Sequence, residues 1–356
     1  MKYRFRSPGR INLIGEHTDY NGGLVLPAAI DKYTYITLEE SRHFMAYTVN
    51  LKERVEFSLN EKKEKEDWAN YVKGAIFHLA KNIKKQIRPF NIEISSTLPI
   101  GAGLSSSASL MVGIIYAISK IENINLDRER IAQIAHEAEN EFVGVNCGIM
   151  DQYAVALAKK DSFILIDASS GRYEYIYAKG FPKIMIIDSG IKHKLSSGNY
   201  NTRRNECEEA TKILGLQFKD LNKAFLESKK NLLGENLYKR AKHVVEENER
   251  VLKTIEAISR QNWEEVGRLV KASHASLRDL FEVSTVEMDF LVDNINKIDG
   301  VYGSRMIGGG FGGSVIALSK RDIRNDLKGI SKIYQNEFGV EIKYYPVKLS
   351  SGVRKM

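Results

Sequence analysis

Leu98-Pro99-Ile100-Gly101-Ala102-Gly103-Leu104-Ser105-Ser106-Ser107-Ala108-Ser109 joins an apolar, strand-like run at 90–95 to a stretch whose apolar residues recur at helical spacing. Glycine lets a backbone approach an anion closely, because no Cβ stands in the way. The three serines fall where a strand gives way to a helix, and the first turn of that helix offers unpaired N–H groups at the positive end of its dipole. Serine hydroxyls can add hydrogen bonds to phosphate or ligate Mg²⁺. A strand–turn–helix linker with serine caps would be written with the same residues, so the meaning of this loop depends on its neighbours. No Walker A motif accompanies it, since the dipeptide Gly-Lys occurs nowhere in the chain.

Downstream of the loop, Ala108, Leu110, Met111, Ile114, Ile115 and Ile118 form a wide apolar helix face. A second helix is expected over 127–142, then a glycine-bearing turn at 144–148 and buried strands at 163–167 and 184–188. Upstream, Tyr71, Ala75, Leu79 and Ile83 stripe a helix over 68–85, and strands are expected at 11–14, 24–30 and 33–38. The second half reads as helices at 202–214, 237–258, 263–280 and 286–298, a strand at 314–318, a helix at 323–338 and a strand at 340–347. Runs of helices beside a few strands predict an α+β fold. A length of 356 residues exceeds what one core usually serves, so two domains are expected, 1–188 and 189–356, meeting at a polar stretch that reaches Asn201.

Composition narrows the function. The net charge is +8, yet lysines are interleaved with acids, as in Glu61-Lys62-Lys63-Glu64-Lys65-Glu66-Asp67, so a solvated surface rather than a nucleic-acid face is expected. A mild basic excess also favours an anionic substrate such as ATP. Cys147 and Cys207 fit no zinc or redox spacing and read as reduced structural thiols, and the seven histidines contain no His-x-x-x-His pair. Met1-Lys2-Tyr3-Arg4-Phe5-Arg6 has no apolar leader core, and no apolar run approaches the roughly 20 residues of a transmembrane helix. A cytoplasmic enzyme is expected, with no membrane or nucleic-acid partner. The sequence assigns no oligomeric state.

Three further segments carry chemistry. Pro8-Gly9-Arg10-Ile11-Asn12-Leu13-Ile14-Gly15-Glu16-His17-Thr18-Asp19-Tyr20-Asn21-Gly22-Gly23 gathers Arg, Glu, His and Asp around glycine turns. Carboxylates and an imidazole can grip pairs of sugar hydroxyls in fixed directions. Glu139-Asn140-Glu141-Phe142-Val143-Gly144-Val145-Asn146-Cys147-Gly148-Ile149-Met150-Asp151-Gln152 places an Asp after an apolar turn, where it could orient and deprotonate an acceptor hydroxyl. Gly308-Gly309-Gly310-Phe311-Gly312-Gly313 formally matches the dinucleotide fingerprint, but a strand follows it where that fold requires a helix. An unusual backbone path or a close approach is expected there instead.

Taken together, these segments resemble the GHMP family of small-molecule kinases. Gly9-Arg10-Ile11-Asn12-Leu13-Ile14-Gly15-Glu16-His17-Thr18-Asp19-Tyr20-Asn21 is similar to the signature of its galactose-phosphorylating branch, and Leu98 to Ser109 is similar to its phosphate loop. Ser304-Arg305-Met306-Ile307-Gly308-Gly309-Gly310-Phe311-Gly312-Gly313 resembles its closing glycine motif, with Ile307 where the family often carries Thr. Tyr200-Asn201-Thr202-Arg203-Arg204 and Ser273-His274-Ala275-Ser276-Leu277-Arg278-Asp279 fit as well. The signature starts close to Met1, so the N-terminal extension of many members is not expected. The resemblance implies an N-terminal α/β domain of the ribosomal S5 domain 2-like type and a ferredoxin-like C-terminal α+β domain, with the active site in the cleft between them. It implies Glu16, His17, Thr18, Asp19, Asp151 and Tyr200 at the sugar, and Asp151 as base with Arg10 beside it. Gly101, Ala102, Gly103, Leu104, Ser105, Ser106 and Ser107 would cradle ATP, with Mg²⁺ at Ser107 and Glu139. The implied reaction transfers the ATP γ-phosphoryl group to the anomeric hydroxyl of α-D-galactose. N-acetylgalactosamine, arabinose or galacturonate as acceptor, or a galactose sensor without turnover, are the alternatives.

Overall fold

The computed structural model describes residues 1–59, 68–99, 101–191 and 198–356. The charged run 61–67, Ile100 and part of the polar stretch at 189–201 lie outside the described residues. In chain order the first half comprises β1 (Lys2–Asn12), β2 (Leu24–Val25), β3 (Pro27–Glu40), β4 (Phe44–Thr48), β5 (Glu53–Phe57), α1 (Ala69–Ile83), β6 (Phe90–Ser96) and α2 (Ser106–Ile121). It continues with α3 (Arg128–Glu137), a π-helical turn (Ala138–Val143), α4 (Met150–Leu157), β7 (Ser162–Asp167) and β8 (Tyr173–Tyr177). Then come β9 (Lys183–Asp188), α5 (Asn199–Leu214), α6 (Lys223–Ser228), α7 (Lys230–Ser259), α8 (Trp263–Asp279) and α9 (Val286–Ile295). The chain closes with β10 (Val301–Ile307), β11 (Ser314–Ser319), α10 (Arg324–Phe338), β12 (Lys343–Val347) and β13 (Arg354–Lys355).

A six-stranded sheet in the order β13-β1-β3-β6-β4-β5 carries the first half. Alternation along β1 and β3 sends Phe5, Ile36 and Leu38 inward, where they bury against Met111, Val112 and Ile115 of α2. The β1–β3 register shifts between Pro8 and Arg10, a bulge centred on Gly9. A side chain at Gly9 would fall 2.2 Å from Leu98 and 2.9 Å from the Leu104 carbonyl oxygen, so glycine is required for the strand to run against the phosphate loop. Past the bulge Arg10 pairs with Ala29 of β3, and its N–H donates to Leu104 O at 3.2 Å.

The second sheet is four-stranded and antiparallel, in the order β10-β11-β9-β12. With helices between β9 and β10 and α10 between β11 and β12, this is the ferredoxin-like connection. It corrects the expected division at 188/189, because β9 pairs on both sides with strands of the second half. The misplacement has a plain cause: an apolar run such as 184–188 is buried in either sheet and carries no mark of its partners. The C-terminus also crosses back, since β13 pairs with β1 and Val353 N–H donates to Val155 O. A third small sheet, β2-β7-β8, flanks the first.

Each half has its own apolar core. A third cluster joins them, with Ile11, Leu13, Ile14 and Leu104 from the first half packed with Val251, Ile307, Ile316 and Leu318 from the second. The seam between the halves is therefore dry beneath and opens into a cavity above. Among the described residues no helix is long and apolar enough to cross a membrane.

Candidate active site

The cavity holds about 330 Å³ and is lined from both halves. Arg10, Glu16, His17 and Asp19 enter it from the end of β1 and the turn beyond, and Gly101 to Ser107 enter from the β6–α2 loop. Glu139 comes from the π-helical turn, Asp151 from the first turn of α4, Tyr200 from the first turn of α5, and Gly308 and Gly309 from the β10–β11 connection. Residues spread over nearly 300 positions of sequence are thus brought to one space.

At its centre Arg10 grips Asp151 with a two-pronged contact, Nε to Oδ1 at 2.7 Å and Nη2 to Oδ2 at 3.0 Å. A planar guanidinium holding both carboxylate oxygens fixes the orientation of the carboxylate as well as its position. The remaining prong, Nη1, donates to the Gly103 carbonyl at 2.6 Å, so one side chain ties the carboxylate to the glycine–serine loop. Ser105 donates its hydroxyl to Asp151 Oδ2. Ser105, expected among the ATP-holding residues, lines the cavity and takes a left-handed backbone, φ 59°. The serine-cap reading of the loop fails here, because no side chain caps α2. Its first-turn N–H groups are left for an anion.

Glu139 is buried and accepts Gln152 Nε2 at 2.6 Å and the Ser107 hydroxyl. Burial pushes its carboxyl up to about 7, against the lowering effect of Ser107. A buried carboxylate that is costly to ionise, beside a hydroxyl and lining the same cavity as the glycine–serine loop, suits a hard divalent cation. No group of three or more His, Cys, Asp or Glu forms a metal cage among the described residues. Any cation there would complete its shell with substrate oxygens and water, as Mg²⁺ commonly does.

A second wall of the cavity is built from the turn after β1. Asp19 is pushed up to about 7, chiefly by burial and then by the neighbouring Asp151 charge. Gly148 makes room for it, since a Cβ at that position would lie 2.0 Å from Asp19 Oδ2. His17 bonds the Tyr20 hydroxyl through Nδ1 at 2.8 Å, and its ring meets those of Tyr200 and Phe281 at 5.6 and 4.7 Å. Glu16 accepts Arg305 Nη2 at 3.1 Å, the Gly308 N–H at 2.9 Å and Asn12 Nδ2 at 3.1 Å. Both bonds from the closing glycine motif fall on Oε1, so that oxygen is committed before any ligand arrives and the free capacity lies on Oε2. Thr18 is not among the residues lining the cavity, and its hydroxyl faces the carbonyls of Gly15 and Leu24 at 2.8 and 2.6 Å. Its place in the motif is to shape the turn.

The closing glycine motif has the unusual path expected of it, with Gly308, Gly310, Phe311, Gly312 and Gly313 all at positive φ. Ser314 then donates to Ala102 O at 2.8 Å, fastening the motif to the phosphate loop. Three participants escaped the sequence reading. Cys147, expected to be a bland structural thiol, lines the cavity, and burial drives its thiol pKa well up. Arg305 is fully buried and holds the carbonyls of Asn12 and Leu13 at 2.6 and 2.9 Å. Gln152 supports Glu139. Arg305 and Gln152 sit inside motifs already quoted, but only their long-range partners reveal their work.

Three family models match this chain. GHMP kinases N terminal domain covers residues 70–159, GHMP kinases C terminal covers 254–334, and the galactokinase galactose-binding signature covers 2–39. The galactokinase of Thermotoga maritima is 45% identical over 99% of this chain and 100% of its own length. That of Pyrococcus furiosus is 40% identical over 99% of each. The chain belongs to the galactokinase family. Among solved structures, Lactococcus lactis galactokinase complexed with galactose superposes with a TM-score of 0.93 at 35% identity, covering 100% of this chain and 95% of that one. Methanococcus jannaschii mevalonate kinase, at 22% identity and a TM-score of 0.71 over 99% of both chains, shares the fold. The galactokinase galactose-binding signature runs through β1 and the turn bearing Glu16 to Asp19, so the matched segment contributes Arg10, Glu16, His17 and Asp19 to the cavity.

Proposed function

We propose that the chain transfers the γ-phosphoryl group of ATP to the anomeric hydroxyl of α-D-galactose, releasing ADP and α-D-galactose 1-phosphate. The observation that carries this reading is the Arg10–Asp151 pair, seated between the acceptor turn and the glycine–serine loop and bonded to that loop through Gly103. Phosphoryl transfer asks for alignment and charge stabilisation more than for covalent help. The loop 101–107 and the open N-terminus of α2 hold the phosphates by N–H donation. Asp151 takes the proton of the anomeric hydroxyl as its oxygen closes on the γ-phosphorus and the bond from γ-phosphorus to the β–γ bridging oxygen breaks. Arg10 keeps the receiving oxygens aimed at that hydroxyl and sets positive charge beside the transferred group.

Ser107 and Glu139 are the residues that would hold Mg²⁺, whose charge neutralises phosphate oxygens when it is bound. Asp19, His17, Tyr200 and the free capacity of Glu16 would read the sugar hydroxyls. A site built to bond hydroxyls discriminates strongly against acceptors that lack them. The relatives' shared activity and the absence of a membrane-crossing helix among the described residues support a cytoplasmic location. A coupled ADP-release assay over a panel of sugars tests the reading. Galactose should give the highest kcat/KM, and turnover of N-acetylgalactosamine, arabinose or galacturonate in its place would move the assignment to that sugar.

A further inference from the structure

Helix α7 runs behind the turn that carries Glu16, His17 and Asp19, and it meets the backbone of that turn with three polar side chains. Glu247 Oε1 accepts the N–H of Gly15 at 2.9 Å and that of Glu16 at 3.4 Å. The same oxygen accepts the Ser273 hydroxyl at 2.6 Å, while Oε2 takes Arg250 Nε at 2.6 Å. One helical turn earlier, His243 Nε2 lies 3.0 Å from the Glu16 carbonyl oxygen and Nδ1 lies 2.8 Å from Ser276 Oγ. A carbonyl only accepts, so His243 carries its proton on Nε2 and receives the Ser276 hydroxyl on Nδ1. Asn248 Oδ1 accepts the N–H of Leu24 at 2.8 Å. Positions 243 and 247 stack on one helix face, with 248 beside them.

Both inner members are fully buried. Burial would push the Glu247 carboxyl up, but Arg250 foremost, then Arg305 and the Ser273 hydroxyl, hold it at about 2. Burial drives His243 down to about 4, so it is a neutral donor at working pH. One fixed charge and one fixed tautomer therefore grip the N–H and the C=O of the same residue, Glu16. Neither lines the cavity; the residues they hold, Glu16 and His17 next to it, do. Bonds from backbone N–H to an ionised carboxylate are among the stronger ones a protein makes. Sites keep their selectivity only when such support fixes them to within about half an ångström.

We propose that Glu247, with His243, is a positioning residue for the acceptor sugar: it sets the backbone path of residues 15–19 and thereby sugar affinity and selectivity, with no part in holding ATP. This rests on reading the cavity as that of a sugar kinase. Glu247→Gln keeps the shape and removes the charge. His243→Phe keeps a ring against Phe281, whose centroid is 4.5 Å away, and removes both hydrogen bonds. Each variant is compared with the native chain by varying galactose and ATP separately, well below its melting temperature. The galactose KM should rise about tenfold or more while the ATP KM stays within about twofold, since a bond to a charged group outweighs a neutral one. Discrimination between galactose and its 2-deoxy or 4-epimeric analogue should fall in parallel.

A purely architectural residue would lower Tm and leave both KM values of the folded enzyme native, and that result overturns the proposal. Equal increases in both KM values overturn it too. Should Glu247→Gln fail to fold, His243→Phe gives the same decision. A native chain that turns over another sugar but not galactose overturns the substrate assignment instead, and the same pair of measurements made with that sugar then decides the role of Glu247.

Discussion

In the proposed reaction, Asp151 is the residue on which the chemistry turns. Asp151→Asn keeps the shape and the contact with Arg10 Nε or Nη2 but cannot accept the proton, so kcat should fall about 10²–10⁴-fold. Nucleotide titration should find ATP binding nearly intact, and a variant with near-native turnover would remove Asp151 from the role of base. Glu139 gives a second test through pH. Its carboxyl stands raised from 4.5 to about 7, chiefly by burial, so the fold holds a proton that the unfolded chain has released. Stability from this group is full below the unfolded value and is lost as pH rises through about 7. Native stability relative to Glu139→Gln should therefore decline between those limits, and saturating Mg²⁺ with ATP should flatten the decline. Parallel denaturation curves for the two proteins across that range would show that Glu139 is not strained in this way. Residues of this kind were legible because Arg, Glu, His and Asp on glycine turns are expensive without a ligand. Glu247 was not: in Glu246-Glu247-Asn248-Glu249-Arg250 it looks like one more solvated charge, and only a contact 232 residues away shows it to be interior.

At the scale of elements, long helices with apolar stripes declared themselves, and α1, α2, α5, α8, α9 and α10 fall where spacing predicts. The short strands β4, β5 and β8 went unread, as did β10; β5 and β8 lie at sheet edges and are too exposed to show a clear alternation. The expected helix over 127–142 is in fact α3 followed by a π-helical turn, and that turn carries Glu139. Wider turns inside helices recur at functional sites, where they re-aim a side chain that regular spacing would misplace. The loop from that turn to α4 is matched to its neighbour by glycine. Gly148→Ala would drive a methyl group into the Asp19 carboxylate, so the galactose KM should rise while the ATP KM holds. An unchanged galactose KM would mean that Asp19 is not held where the sugar meets it. Ser314→Ala should act oppositely. It leaves the buried Ala102 carbonyl without its 2.8 Å partner, costs about 1–3 kcal/mol and raises the ATP KM by loosening the phosphate loop.

The whole molecule is two main sheets, with a small third flanking the first, locked across a cavity. Arg305 is one such lock, wholly buried and bonded to Asn12 O, Leu13 O and Glu16 in the other half. Removing one partner of a buried ion pair costs about 3–5 kcal/mol, so Arg305→Met should lower stability by that order in urea denaturation. A loss below about 1 kcal/mol, typical of exposed pairs, would contradict this. Trp68 and Trp263 are the only tryptophans, one in each half. With an apolar cluster shared between the halves, fluorescence and circular dichroism should follow a single coincident transition. Fold class was readable from the run of elements, but the crossing of β9 and β13 between sheets was not, because strand pairing is a tertiary choice. The central claim concerns where the phosphate goes. Phosphorus and carbon NMR of the product made from galactose, ATP and Mg²⁺ should show a single monoester on the α-anomeric oxygen, one per ADP released, and none with Asp151→Asn. Phosphate on any other carbon, or ADP released without a sugar phosphate, would contradict the account.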